Sequence, residues 1–190
     1  MRAVPGPDGR LRCPWGLSAP DYIDYHDREW GQPVTSVNGL FERMTLEAFQ
    51  SGLSWITILR KRENFRRAFA AFDPAAVAAF DDGAVERLMS DVGIVRNRAK
   101  IDAAIHNAGV VVDLGQQFVD LIWSFRPPAR PRPTGSEDAP AQTAESVALS
   151  KALKRRDFRF FGPTTAYAMM QAVGVVDDHL ADCFVEVRAR

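Results

Sequence analysis

Apolar residues along this chain recur at helical spacing. From Val37 onward, Leu40, Phe41, Met44 and Phe49 form the stripe of a helix with one buried face. The turn SGLS at 51–54 interrupts the stripe, and a second helix is predicted from Trp55 to about Phe72. Asp73 followed by Pro74 is a helix-start signal, a capping carboxylate ahead of a ring with preset φ. Asp81 and Asp82 open another short helix that ends before Gly93. Residues 97–112, 117–125, 145–156 and 163–174 also read as helices. Residues 13–33 are too aromatic for a linker and too irregular for one long helix. Residues 1–12 read as a flexible lead-in. Residues 126–143 carry Pro127, Pro128, Pro131, Pro133 and Pro140 with Gly135 and Ser136, and read as a surface loop. No strand series or internal repeat is evident. The predicted fold is all-α, one domain over residues 1–190.

Composition narrows the class. The chain has 190 residues, 46% apolar and 25% charged, which suits one soluble domain with its own core. Formal net charge is zero, so no global field attracts nucleic acid, although a local basic face is compatible with it. The opening segment MRAVPGPDGRLRC has no apolar stretch of the secretory kind, and no apolar run is long enough for a membrane helix. Two cysteines without an export signal point to a reducing cytoplasm, where metal binding or plain burial is the expected fate of a thiol.

Those two cysteines are placed suggestively. VDDHLADCF near the end sets His179 and Cys183 four apart, and Cys13 and His26 form C-x12-H near the start. Thiolate and neutral imidazole are the ligands that tetrahedral Zn²⁺ prefers, and a Cys₂His₂ set closes the coordination sphere, which implies a structural metal. Such a metal would close a loop of about 150 residues. On spacing alone, a buried free thiol with two ordinary histidines remains the alternative.

Several blocks carry a wider resemblance: RCPW, YIDYHDREWGQP, FERMTLEAFQSGLSWITILRKRENFRRAF, DVGIVRNRAKI and LSKALKRRDFRFFGPTTAYAMMQAVGVVDDHLADCF. In this order, over about residues 12–185, they resemble the 3-methyladenine DNA glycosylase I family; only the proline-rich loop diverges. The resemblance implies an all-helical helix-hairpin-helix glycosylase. Its zinc site would join the termini through Cys13, His26, His179 and Cys183. It implies hydrolysis of the N-glycosidic bond of 3-methyladenine in double-stranded DNA after base flipping, without a lyase step, by a monomer in the bacterial cytoplasm.

The resemblance also assigns residues. Flipping enzymes need aromatic faces and a polar reader of the base edge. Trp15, Tyr22, Tyr25 and Trp55 match the family's base pocket, although each ring would also suit a core; Trp30 reads as packing. Glu47 resembles the glutamate that accepts from the amino edge of the methylated adenine. A carboxylate suits a base made cationic by methylation, because charge-assisted hydrogen bonds are the strong ones. Asp177 stands where this family often has Asn and the wider superfamily has a catalytic Asp. It is expected either near the sugar or as a partner of the zinc ligand His179. DNA contacts are expected from Arg96 and Arg98 in GIVRNRAK, from Arg159, and from the turn at Gly162 and Thr164, where a tight backbone would let amides reach a phosphate. LRKRENFRR reads as a solvated helix face. Leu53 is a candidate wedge for the gap left by the flipped base. Two rival readings are a glycosylase for another alkylated base and a non-catalytic zinc-stapled DNA-binding module.

Overall fold

A computed structural model describes residues 1–188. Among these the chain forms nine α-helices and one short hairpin. The helices are α1 (Pro20–Arg28), α2 (Val37–Gln50), α3 (Trp55–Ala68), α4 (Pro74–Ala78), α5 (Asp82–Ser90), α6 (Arg98–Leu114), α7 (Gln116–Trp123), α8 (Ala144–Lys154) and α9 (Pro163–Ala172). No described helix is long and apolar enough to cross a membrane.

Local chemistry explains most boundaries. The side chains of Ser36, Asp73, Asp81, Asn97 and Thr143 each accept a hydrogen bond from a backbone N–H of the first turn they precede. Each thereby satisfies a donor that the helix cannot, for about 0.5–2 kcal/mol. One helix is shorter than its pattern predicts. α3 ends at Ala68, and Ala70, Ala71 and Phe72 take left-handed φ values of 49°, 53° and 55°. This costs about 1–2 kcal/mol per residue. The bend seats Phe69 and Phe72, both fully buried, in a ring cluster with Phe65 and Phe41. Burying such rings contributes about 1.5–3 kcal/mol each, which offsets the bend.

α2 runs through the middle of the molecule, buried at nine of the ten positions from Leu40 to Phe49, all but Glu42. It packs against α3, α6, α7 and α9. α8 and α9 pack as a pair, joined by a hairpin at 155–162. α6 holds that hairpin: Asn107 donates to the Arg159 carbonyl at 3.0 Å and accepts from the Arg159 N–H at 2.8 Å.

Two segments differ from their sequence reading. Residues 1–12, expected as a lead-in, contain an antiparallel hairpin, β1 (Val4–Pro5) with β2 (Leu11–Arg12). It is anchored by Arg12, 3% exposed between Asp8 and Asp27. The loop 126–143 lies against the body of the protein: Ala181 N–H donates to the Pro133 carbonyl at 2.8 Å and Ser136 N–H to the Met1 carbonyl at 3.0 Å.

Candidate active site

One cavity of about 410 Å³ opens between α1, α2, the start of α3, α9 and the loop 126–143. Trp15, Tyr22, Tyr25, Glu47 and Trp55, which the sequence scatters over forty positions, all line it. Trp15 meets Tyr22 edge-on at 5.6 Å between centroids, and Tyr25 lies 5.4 Å from Trp55. Trp30, read from sequence as packing, also lines the cavity, and its ring stands 4.7 Å from that of His179. Ser18, Gln50, Ser136, Gln171 and Asp178 add polar lining. Sequence reading missed these five, since nothing local distinguishes them from surface or helix-interior residues.

Glu47 is 5% exposed and makes no hydrogen bond to another described residue. Arg43, one turn earlier on α2, is the nearest cation, but Glu29 engages it at 2.7 Å. Arg62 binds the same Glu29 at 2.6 Å. Burial therefore dominates over the residual pull of Arg43 and pushes the Glu47 carboxyl up to about 8. A neutral acid with a free oxygen pair thus faces an apolar, aromatic-walled cavity. Trp55 Nε1, of another ring in the same lining, is buried without a hydrogen-bond partner.

Behind the cavity the two ends of the chain meet. The ligating atoms of Cys13, His26 and Cys183 all lie within 4.8 Å of one another, with Cys183 Sγ 3.6 Å from His26 Nε2. His179 stands outside that group, its ring 5.3 Å from the ring of His26. Both histidines are held in the same way. Asp27 lies 2.8 Å from His26 Nδ1, and Asp177 lies 2.8 Å from His179 Nδ1. This leaves each Nε2 as the atom available to a metal, and His179 Nε2 is buried with no partner. The hydrogen bond from Cys13, helped by His26, lowers the Cys183 thiol below its ordinary range. Two glycines make room for the rings. A Cβ at Gly16 would sit 2.8 Å from His26, and one at Gly31 (φ 78°) would sit 2.7 Å from His179. An orphaned imidazole nitrogen, two buried thiols and two oriented rings fit a dication of the zinc kind.

Asp177 does not line the cavity. Burial alone would raise its carboxyl, but hydrogen bonds from His179 and Arg132 outweigh that and lower it. Of the residues expected at DNA, Leu53 is 43% exposed at the tip of the 51–54 turn. Arg96 and Arg159 are exposed, whereas Arg98 is engaged by Glu86 at 2.8 Å. Gly162 has ordinary extended backbone (φ −83°), so the tight backbone expected there lies elsewhere. The left-handed residues of the hairpin are Asp157 and Phe160. What Gly162 contributes is an open approach to the first turn of α9, where a Cβ would meet nothing within 4 Å. Thr164 is exposed in that turn.

A helical body with an aromatic cavity around a buried carboxylate, closed at the back by a Cys/His cluster, defines the class; comparison with known proteins narrows it. The methyladenine glycosylase family model matches residues 15–186. The DNA-3-methyladenine glycosylase 1 of Escherichia coli K12 is 49% identical over 177 residues, covering 90% of this chain and 95% of that protein. A crystal structure of 3-methyladenine DNA glycosylase I superposes with a TM-score of 0.87 at 47% identity, covering 91% of this chain and 98% of the other. The Staphylococcus aureus 3-methyladenine DNA glycosylase I, solved for its recognition of 3-methyladenine, gives 0.86 at 34%, covering 94% and 98%. The chain belongs to the methyladenine glycosylase family.

Proposed function

We propose that this protein excises 3-methyladenine from alkylated DNA by hydrolysing its N-glycosidic bond, the entry step of base-excision repair. The observation that carries the reading is Glu47, a buried carboxyl with no partner in a cavity walled by aromatic rings. The flipped base enters between Tyr25, Trp55, Trp15 and Tyr22, each stacking face contributing on the order of 1–3 kcal/mol. Methylation at N3 leaves the adenine cationic and its amine a strong donor. That cation supplies the counter-charge Glu47 lacks, so the carboxyl ionises and accepts a charge-assisted hydrogen bond. An unmodified adenine is neutral and leaves Glu47 unpaired, which gives selectivity by difference.

The lesion's charge also makes it a good leaving group. Bond breaking neutralises the base, so the protein has to hold it and support an oxocarbenium-like sugar until water attacks. No lysine nucleophile is required, and no lyase step is expected. Asp177 is assigned to holding His179 rather than to the sugar, because its carboxylate is committed to His179 and Arg132. Asp177→Asn is therefore expected to keep the parental single-turnover rate; a rate loss of about 100-fold, the scale of a lost electrostatic contribution, would restore the catalytic reading.

Cys13, His26, His179 and Cys183 would hold a structural zinc, which stiffens the back of the cavity and takes no part in the chemistry. The α8–hairpin–α9 unit serves as a helix-hairpin-helix element. Beyond Pro163, which has no N–H, the first-turn amides of Thr164 and Thr165 hold a phosphate beside Gly162, with Arg96, Arg98 and Arg159 alongside and Leu53 entering the duplex gap. The working unit is a monomer on double-stranded DNA in the bacterial cytoplasm.

The test is base release from methylated duplex DNA, resolved by chromatography. Free 3-methyladenine with little 7-methylguanine is the expected result. Comparable release of both would move the reading to another alkylated base, and no free base from a folded, zinc-loaded chain would leave a DNA-binding module.

A further inference from the structure

The loop 126–143 carries two arginines that reach back across the fold. Arg130 donates through Nη2 to Asp178 at 2.6 Å and to the Tyr167 hydroxyl oxygen at 3.0 Å. Arg132 donates through Nε to Asp177 at 2.7 Å and through Nη2 to the Val185 carbonyl at 2.8 Å. Asp177 and Asp178 are adjacent and immediately precede His179, yet they serve different sites. Asp177 binds the His179 ring at 2.8 Å. Asp178 lines the cavity, its side chain 1% exposed, and accepts from Tyr167 at 2.5 Å and Gln171 at 2.8 Å. Beyond the arginines, Ser136 and Ala139 of the same loop form the cavity rim.

The other histidine of the cluster is held by the same device. Arg12 donates to Asp27 at 2.7 Å, and Asp27 lies 2.8 Å from His26 Nδ1. An Arg–Asp–His chain on each side is a structural pattern rather than a chance surface pair. The planar guanidinium fixes the carboxylate, and the carboxylate fixes the ring and its tautomer.

We propose that Arg132 and Arg130 are positioning residues that couple the Cys/His site to the base cavity. Arg132 orients His179 through Asp177, Arg130 holds Asp178 in the cavity wall, and the loop segment they anchor keeps the rim closed. The cavity half rests on the proposed function; the Cys/His half stands without it. Loosening Arg132 frees Asp177 from its second partner, lets the His179 ring turn, and releases the loop from the C-terminal carbonyl of Val185.

The test uses the full zinc-loaded chain and three readings: zinc transfer to a chromogenic chelator, the visible bands of the Co²⁺-substituted protein, and quenching of tryptophan fluorescence by free 3-methyladenine. Arg132→Met is expected to release zinc about 10–100-fold faster, to shift the cobalt bands and to weaken base binding. Arg130→Met is expected to keep parental zinc release and cobalt bands while losing about 10-fold in base affinity, the scale of one buried charged hydrogen bond. Asp177→Asn keeps an acceptor for His179 but loses the ion pair with Arg132, so its zinc release and cobalt bands are expected to fall between parent and Arg132→Met; it reads the same contact should Arg132→Met not fold. Parental zinc release and cobalt bands in both Arg132→Met and Asp177→Asn would overturn the assignment of Arg132. Faster zinc release with unaltered base affinity would overturn the coupling. A parent chain that binds no base would overturn the proposed function and the cavity half with it, while the zinc and cobalt readings still decide the role of Arg132.

Discussion

Glu47→Gln is expected to lower 3-methyladenine excision by about 100-fold or more, equivalent to ~2.7 kcal/mol of transition-state support, while raising the stability of the protein at alkaline pH. The two effects have one cause. Glu47 sits in the cavity without a donor of its own: Arg43 turns Nη2 to Glu29 at 2.7 Å, and its Nη1 is buried with no partner. Glutamine keeps the shape and the acceptor oxygen but carries no charge to answer the cationic base. The stability effect follows from linkage. The carboxyl ordinarily titrates near 4.5 and is pushed up to about 8 by burial in the folded chain. The folded state therefore binds this proton more tightly than the unfolded state. The stability associated with Glu47 is fully present below the unfolded value and is lost as pH rises toward the folded one, at up to about 1.4 kcal/mol per pH unit. Glutamine does not titrate and escapes the loss. Thermal melts of the two proteins should converge near pH 4.5 and separate by roughly 10 °C or more at pH 8, with the variant higher. A separation independent of pH would mean that Glu47 is already ionised in the free protein.

Removal of the proposed zinc is expected to have the largest effect on stability. Exhaustive chelation, or Cys183→Ser, should lower the melting temperature by more than about 10 °C, because a bound structural zinc contributes its binding energy to folding. The loss should also reach the cavity. Trp15 follows Cys13 by two residues, Tyr25 precedes His26, and Trp30 packs on His179 at 4.7 Å. Releasing the ends of the chain frees three of the rings that line it. Calorimetry of metal-loaded and chelated protein, with zinc content measured alongside, checks this. Purified protein without bound zinc, whose melting temperature chelation leaves unchanged, would assign the cluster to buried, metal-free thiols.

Much of this architecture was legible along the chain, because helix starts are local events. Ser36, Asp73, Asp81, Asn97 and Thr143 cap within three residues of themselves, and the α2 stripe needs no partner to be recognised. The end of α3 was not legible. Ala70 and Ala71 favour a continuing helix, and only the burial of Phe69 and Phe72 against Phe65 and Phe41 turns them left-handed.

The same division runs through the site. Residue type and resemblance singled out Cys13, His26, Glu47, Tyr25 and Trp55, because thiols, imidazoles and an acid in an apolar helix are chemically conspicuous. They could not show that Glu29 would take Arg43 and leave Glu47 neutral, nor that a proline-rich loop would lie against the cavity. Those outcomes depend on Arg62, Arg130 and Arg132 reaching across 33, 48 and 45 positions to their carboxylates. By itself the sequence determined which groups have the chemistry to bind a methylated base and a metal. Only the tertiary structure decided which of their charges are answered, since pairing and burial are set by distances that no local pattern encodes.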